Sequence, residues 1–403
     1  MRVMKRIFRL SCAFYFLIGI TSVMLGALLP VILPHYGRDY SDGGTLLFLQ
    51  FIGFLAGVLV SPSLSSGIGR KRLLLVALAA ITIAYAVMGT MPVWALMVVM
   101  TIFVGFGSGI IESSIGAFTI EFAEEQKAVA MTKLDVYFGV GSMLLPALAS
   151  LYIYLHVWNL SFYTVALSTF VLLLFWLRMP ADSSAHLHQD QQPDSKAVAA
   201  AKSRYTGAQL RLLSIFVLFF FVYMGIELGM MNFLPSILIE SISISDSAAS
   251  LSVTFFWGAI TIGRLFVGRM AETMSYVPFL IGSALGSMVL ISALAFFTNP
   301  IMMYLLIFGV GLFISGLFSI GLVFANTLLP GMVERTTSTL IAAGGIGGSV
   351  LQYVIGWSMD RWSFGPTLWI FALFALILLV SIILVQQLKS ADTSLRTGIE
   401  SKY

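Results

Sequence analysis

Three carboxylates interrupt long apolar runs. Glu112 lies in GFGSGIIESSIGAF, Glu227 in GIELGMMNFLPSI and Asp135 in KLDVYFGVGSMLLP. An ionisable side chain in hydrocarbon costs about 2.5–3.5 kcal/mol even on lenient insertion scales, so its presence points to function. Hydrocarbon disfavours the charged form of a carboxyl, which lets such a group load and release a proton. Proton coupling is therefore the chemistry these acids suggest. Gly105, Gly109, Glu112 and Gly116 are spaced i, i+4, i+7 and i+11, one face of a helix. Small residues on that face admit a neighbouring backbone and keep the carboxylate away from lipid. Asp135 stands two residues from Lys133. It reads either as an interfacial pair with that lysine or as a third proton-coupling acid.

Polar residues form stripes as well. Ser250, Thr254, Trp257, Thr261 and Arg264 recur at i, i+4, i+7, i+11 and i+14. Lipid would not be faced by an arginine, so this stripe looks into the protein or into a watery cavity. Gln50, Phe54, Gly57 and Ser61 make a shorter stripe, and so do Tyr15, Gly19, Ser22 and Gly26. Helix packing alone explains these two equally well. Gly225, Gly229 and Pro235 predict a bend or break around Glu227, which would let Asn232 converge with it. Carboxylate, amide, hydroxyl and Trp together suit a neutral polyhydroxylated ligand, and a hydrophobic cation would accept the same groups.

These residues must be carried by helices that cross a membrane. The chain has 403 residues, 59% apolar or aromatic and only 10% charged, whereas soluble domains carry about 25% charge. Twelve apolar runs, from 8–33 to 364–387, are long enough to span. With a cytoplasmic N-terminus, only Arg38 and Arg361 of the 22 Lys and Arg fall outside. Both termini are thus expected in the cytoplasm. The net charge of +4 is a topology signal, and nucleic acid is not an expected partner. A single cysteine, Cys12, and four histidines lying between the runs leave no ligands for an embedded metal or haem. No cofactor and no catalytic residues are expected, and the chain does not read as an enzyme.

The polar stretch MPADSSAHLHQDQQPDSKAVAAAKSR divides the chain. Residues 1–180 form a first six-helix bundle, 181–208 a cytoplasmic linker with a short helix near Ser195–Lys202, 209–390 a second bundle, and 391–403 a cytoplasmic tail. The bundles echo each other. Gly19-Ile20 followed by Leu29-Pro30-Val31-Ile32-Leu33 in span 1 matches Gly225-Ile226 followed by Leu234-Pro235-Ser236-Ile237-Leu238 in span 7. Spans 4 and 10 share paired glycines, Gly105/Gly107 and Gly309/Gly311. Spans 5 and 11 share Gly139–Ser142 and Gly347–Ser349. A duplicated six-helix unit is predicted.

A 6+6 repeat with a basic turn, Gly69-Arg70-Lys71-Arg72, resembles the major facilitator superfamily. The turn has Ser66 and Gly67 where that family keeps Asp-Arg, and the second half has Arg269 and Glu272 in the equivalent place. Further stretches resemble the fucose–galactose–glucose:proton symporter branch, especially its bacillary glucose/mannose:proton symporters. These are FLQFIGFLAGVLVSP, GFGSGIIESSIGAF, KLDVYFGVGSMLLP, GIELGMMNFLPSI, FFWGAITIGRLFVG and GGIGGSVLQYVIGWSMD. The resemblance implies an all-α major facilitator fold of twelve transmembrane helices in two pseudo-symmetric bundles. It also implies a hexose porter driven by protons, with an essential span 4 carboxylate at Glu112. The fucose branch has a titrating Asp in span 1, and here span 1 holds no ionisable residue.

The expected function is hexose import with protons by alternating access, in a bacterial plasma membrane and as a monomer. Sodium remains open as the coupling ion. Glu112, Glu227 and Asp135 are the proton-coupling candidates. Gln50, Glu227, Asn232, Trp257 and Gln352 are the substrate-binding candidates, and Arg70, Lys71, Arg72, Arg264, Arg269 and Glu272 the gating ones. The alternative is a proton-coupled antiporter that exports drugs or metabolites.

Overall fold

Long apolar segments have one solution inside a bilayer. A helix satisfies every backbone N–H and C=O within the segment itself. The computed structural model describes residues 2–122, 127–178, 205–330, 332–362 and 364–391, and among them it forms thirteen helices. They are α1 (Arg2–Tyr36), α2 (Tyr40–Ile68), α3 (Arg70–Gly89), α4 (Trp94–Phe122), α5 (Lys127–Tyr154), α6 (Leu160–Leu177) and α7 (Gly207–Ile242). These are followed by α8 (Asp246–Met274), α9 (Tyr276–Leu294), α10 (Pro300–Ile314), α11 (Leu317–Leu328), α12 (Val333–Trp362) and α13 (Phe364–Ala391). Twelve candidate spans result, because α10 and α11 together make the tenth.

Two expectations about helix continuity are corrected. The tenth apolar run reads as one helix, yet it breaks at Ser315–Gly316. There the Ser315 hydroxyl donates to the Leu312 carbonyl at 2.7 Å, a side-chain bond that competes with the helix ladder. Conversely, α7 neither breaks nor unwinds around Glu227, and Pro235 lies inside an unbroken helix. Its glycines serve packing: a Cβ on Gly225 would collide with Leu351, and one on Gly229 with Ile355. The predicted short helix near Ser195–Lys202 lies outside the described residues.

The described chain falls into two compact units, Met1–Asp190 with Met231–Gly258, and Gln191–Met230 with Ala259–Tyr403. In the first, α2 lies along α4, α1 along α5, and α3 against α4 and α6. Glycine sets the α2/α4 seam. A Cβ on Gly53 or Gly57 would strike the carbonyl of Ile102 or Phe106, and one on Gly105 or Gly109 that of Gln50 or Phe54. Helices with no hydrophobic drive between them gain contact by this close backbone approach. In the second unit α9 packs against α10 and α13.

The predicted duplication has a counterpart in the contacts. Gly141 of α5 abuts the Phe16 carbonyl of α1, and Gly347 of α12 abuts the Phe221 carbonyl of α7. The shared Gly-Ser segments of spans 5 and 11 therefore do the same job, each seating a first-span helix of its own half.

Candidate functional site

Glu112 is half-buried on α4, and the face predicted for it has two uses. Gly105 and Gly109 receive α2, whereas Gly116 receives α1: a Cβ there would stand 3.1 Å from the Tyr15 hydroxyl. Ser114 joins Ser61 of α2 at 3.0 Å. Tyr15 is buried. Asp135 is exposed. Among the described residues no Lys or Arg forms an ion pair with Glu112.

Farther along α1 lies a polar node at Thr21. Its carbonyl accepts from the Gln50 amide at 3.4 Å and from the Tyr85 hydroxyl at 3.3 Å. Its hydroxyl donates to the Ile18 carbonyl at 2.9 Å and meets Ser108 at 3.3 Å. Asn232, buried on α7, rests against Gly26. Trp257, buried on α8, meets the Phe138 ring edge-on at 5.3 Å, and Phe138 itself touches Gly19. Three substrate candidates, Gln50, Asn232 and Trp257, are thus gathered around the Gly19–Gly26 stretch of α1. The end of α7 and the start of α8 are held in this unit by polar contacts. Tyr40 donates to Glu240 at 3.0 Å, Ser247 to the Ser150 carbonyl at 2.8 Å, and Thr254 to the Met143 carbonyl at 3.0 Å.

The second unit holds the other two candidates. Arg264 of α8 donates to Glu227 of α7 at 3.3 Å, with side chains 25% and 7% exposed. An acid this deep is tolerated because a cation accompanies it. Tyr223, one turn before Glu227, lies beside both partners and reaches the Ile314 carbonyl at 3.4 Å, where the tenth span breaks. On the other side of that break Gly263 leaves room for the Ser315 side chain. Gln352 is buried on α12 and donates to the Gly348 carbonyl at 2.9 Å. It belongs to the stretch of α12 that packs along Phe221–Leu228 of α7.

The continuous α7 does not bring Asn232 round to Glu227, and the α8 stripe is shared out likewise. Ser250, Thr254 and Trp257 belong to the first unit, Thr261 and Arg264 to the second. Of the gating candidates, Arg70 stands over the Phe118 ring at 5.9 Å, the Lys71 carbonyl accepts from Trp176 Nε1 at 3.1 Å, and Arg72 is exposed. The turn before them needs Gly69, whose φ of +82° disfavours any side chain. Arg269 and Glu272 lie on α8, and their side chains fall outside those described.

Sequence reasoning missed Tyr85, Ser108 and Tyr223. The i−4 spacing of Tyr223 from Glu227 was a usable signal. Nothing local marks Tyr85 as a partner of α1.

Comparison with known families settles the class. The model of the Major Facilitator Superfamily matches residues 12–236 and 215–400. The chain belongs to the Major Facilitator Superfamily. Among curated relatives of this facilitator, the glucose/mannose transporter GlcP of Bacillus subtilis (strain 168) is 31% identical over 382 residues, 94% of each chain. The facilitator fold is shared with the nucleoside transporter NupG, with a TM-score of 0.77 at 15% identity over 95% of this chain and 99% of that one. It is shared also with the xylose transporter XylE from E. coli, at 0.72 and 12% over 96% and 98%.

Proposed function

We propose that this facilitator is a secondary active transporter that carries a hexose of the glucose/mannose type together with protons, by alternating access, in the cell membrane. The observation that carries this reading is the contrast between its embedded acids. Glu227 has Arg264 at 3.3 Å, whereas Glu112 has no ion-pair partner among the described residues. A carboxyl without a fixed cation can exist neutral or charged, which is what a proton carrier requires. The 31% identity to a glucose/mannose transporter over 94% of the chain favours a hexose over a hydrophobic cation.

Glu112 is the coupling carboxyl and Asp135 its companion. Gln50, Asn232 and Trp257 are proposed as sugar contacts, with Glu227 and Gln352 joining them. Amides and carboxylates pair with hydroxyl groups, and Trp257 offers an aromatic face to the C–H side of a sugar ring. Arg70, Lys71, Arg72, Arg264, Arg269 and Glu272 act in gating. Both termini and the 181–208 linker lie in the cytoplasm, the 1–180 and 209–390 bundles are the moving halves, and the protein works as a monomer.

The test is transport in reconstituted vesicles with a sugar panel and a proton ionophore. Labelled glucose or mannose should exchange by counterflow, and accumulation should need an inward proton gradient. Accumulation driven by sodium alone would replace the proton. Absence of exchange with every hexose, accompanied by proton-driven export of a cation, would install the antiporter reading.

A further inference from the structure

The two ends of the Gln50 amide meet different surroundings. Its Nε2 lies 3.4 Å from the Thr21 carbonyl of α1. A carbonyl oxygen only accepts, so the end of the amide turned toward it must be the NH2, since the reverse would set two oxygens against each other. The same carbonyl takes the Tyr85 hydroxyl at 3.3 Å, and Tyr85 is fully buried on α3. Thr21 is 1% exposed, and its own hydroxyl is engaged with the Ile18 carbonyl and with Ser108. In so dry a place a matched donor gains more than in water, and a mismatched oxygen costs more.

The base of the side chain is fixed as firmly. A Cβ on Gly105 would strike the Gln50 carbonyl, so α2 lies directly on α4 at this residue. Ser108, on the same α4, meets Thr21 at 3.3 Å. Gln50, α4 and Thr21 thus close a circuit that holds the amide nitrogen against α1. The amide oxygen is left over. Among the described residues Gln50 Oε1 meets no hydrogen-bond donor, and the residue is half-buried.

We propose that Gln50 recognises the hexose as an acceptor, its Oε1 taking the hydrogen of one sugar hydroxyl while the Thr21 carbonyl holds the amide nitrogen. This rests on the reading of Gln50 as a sugar contact, and it names the atom and what that atom demands. An oxygen with two lone pairs unfilled is the largest unmet requirement of this side chain. A hydroxyl hydrogen meets it. Fluorine, an ether oxygen or a bare hydrogen at the same carbon cannot, and a site built around such a bond rejects the analogue that lacks it.

The experiment measures how monodeoxy- and monofluoro-deoxyglucoses inhibit labelled-glucose counterflow in reconstituted vesicles, one ring position at a time. Replacing a hydroxyl by hydrogen removes donor and acceptor together, whereas fluorine removes the donor and keeps a weak acceptor. The parental protein should show a position at which both analogues inhibit roughly three- to tenfold more weakly than glucose. Gln50→Met, which keeps the unbranched stem, should erase the penalty at that position and at no other. Survival of every penalty in Gln50→Met would overturn the acceptor role and leave the hexose reading standing. So would erasure at a position where the fluoro analogue had matched glucose, because Gln50 would then be read through its N–H. If Gln50→Met exchanges no glucose, Gln50→Glu decides, since a carboxyl keeps an acceptor and offers no amide N–H. Measurable exchange there upholds the acceptor role, and its loss overturns it. Parental vesicles that exchange no hexose would overturn the hexose reading and the Gln50 assignment with it.

Discussion

Asn232 of α7 rests on Gly26 of α1 with no room for a methyl group between them. A Cβ on Gly26 would stand 2.6 Å from the Asn232 Cα and collide with its Oδ1. Gly26→Val should therefore force the last turns of α7 off α1 and cut hexose counterflow at least about tenfold, with an overpacking cost of about 1–3 kcal/mol. Gly282→Ala, where a Cβ meets nothing within 4 Å, should leave both transport and thermal midpoint unchanged.

The α2/α4 seam makes a second prediction. Gly57→Ala and Gly105→Ala each place a methyl against a carbonyl of the facing helix, and each should cost about 1–3 kcal/mol, read as a lowered thermal midpoint in detergent. The two changes act on one gap. Once the first has pushed the helices apart the second should cost less, so the double variant should fall short of the sum.

The Glu227–Arg264 pair should behave as a unit. Removing one partner leaves a charge stranded in a poorly solvated place, about 3–5 kcal/mol for a buried pair. Glu227→Ala and Arg264→Ala should each destabilise strongly, and the double variant should be more stable than either single one. Arg264→Lys should recover little, because an ammonium cannot reproduce the planar fork of donors. Additive losses in thermal unfolding would refute the pairing.

A smaller test concerns the start of α10. The Asn299 side chain accepts from the Met302 N–H at 3.2 Å, and Pro300 follows as the first helical residue. Asn299→Ala should cost about 1 kcal/mol and Asn299→Asp nearly nothing, measured by thermal unfolding. A neutral alanine variant would mean that the Pro300 start holds without its cap.

The periodicities that could be read were those within one helix. The Gly105–Gly116 face was visible as spacing, and the structure shows it packed as spacing demands, with Glu112 in its midst. Which helix would fill that face was not visible, because Tyr15 and Asp135 lie on other spans and no local pattern joins them. The break at Ser315–Gly316 stayed hidden for a related reason. In an apolar run glycine and serine are ordinary, and only the tertiary packing of Gly263 against Ser315 shows what the interruption accommodates. The opposite error occurred at Glu227. Gly225 and Gly229 looked like weak points of α7, yet they are filled by Leu351 and Ile355 of α12, and the helix is unbroken.

Spans 2 and 4 are not consecutive, and this sets a schedule for biogenesis. When α2 leaves the ribosome its glycine ridge has no matching surface, since the partner ridge on α4 is about fifty residues behind. At a synthesis rate of about 5–20 residues per second that gap is roughly three to ten seconds. For that interval α2 must be kept company by lipid or by the insertion machinery, and α3 must pass between the two before the seam can zip. Chain elongation, more than any folding step of its own, therefore times the assembly of the first bundle.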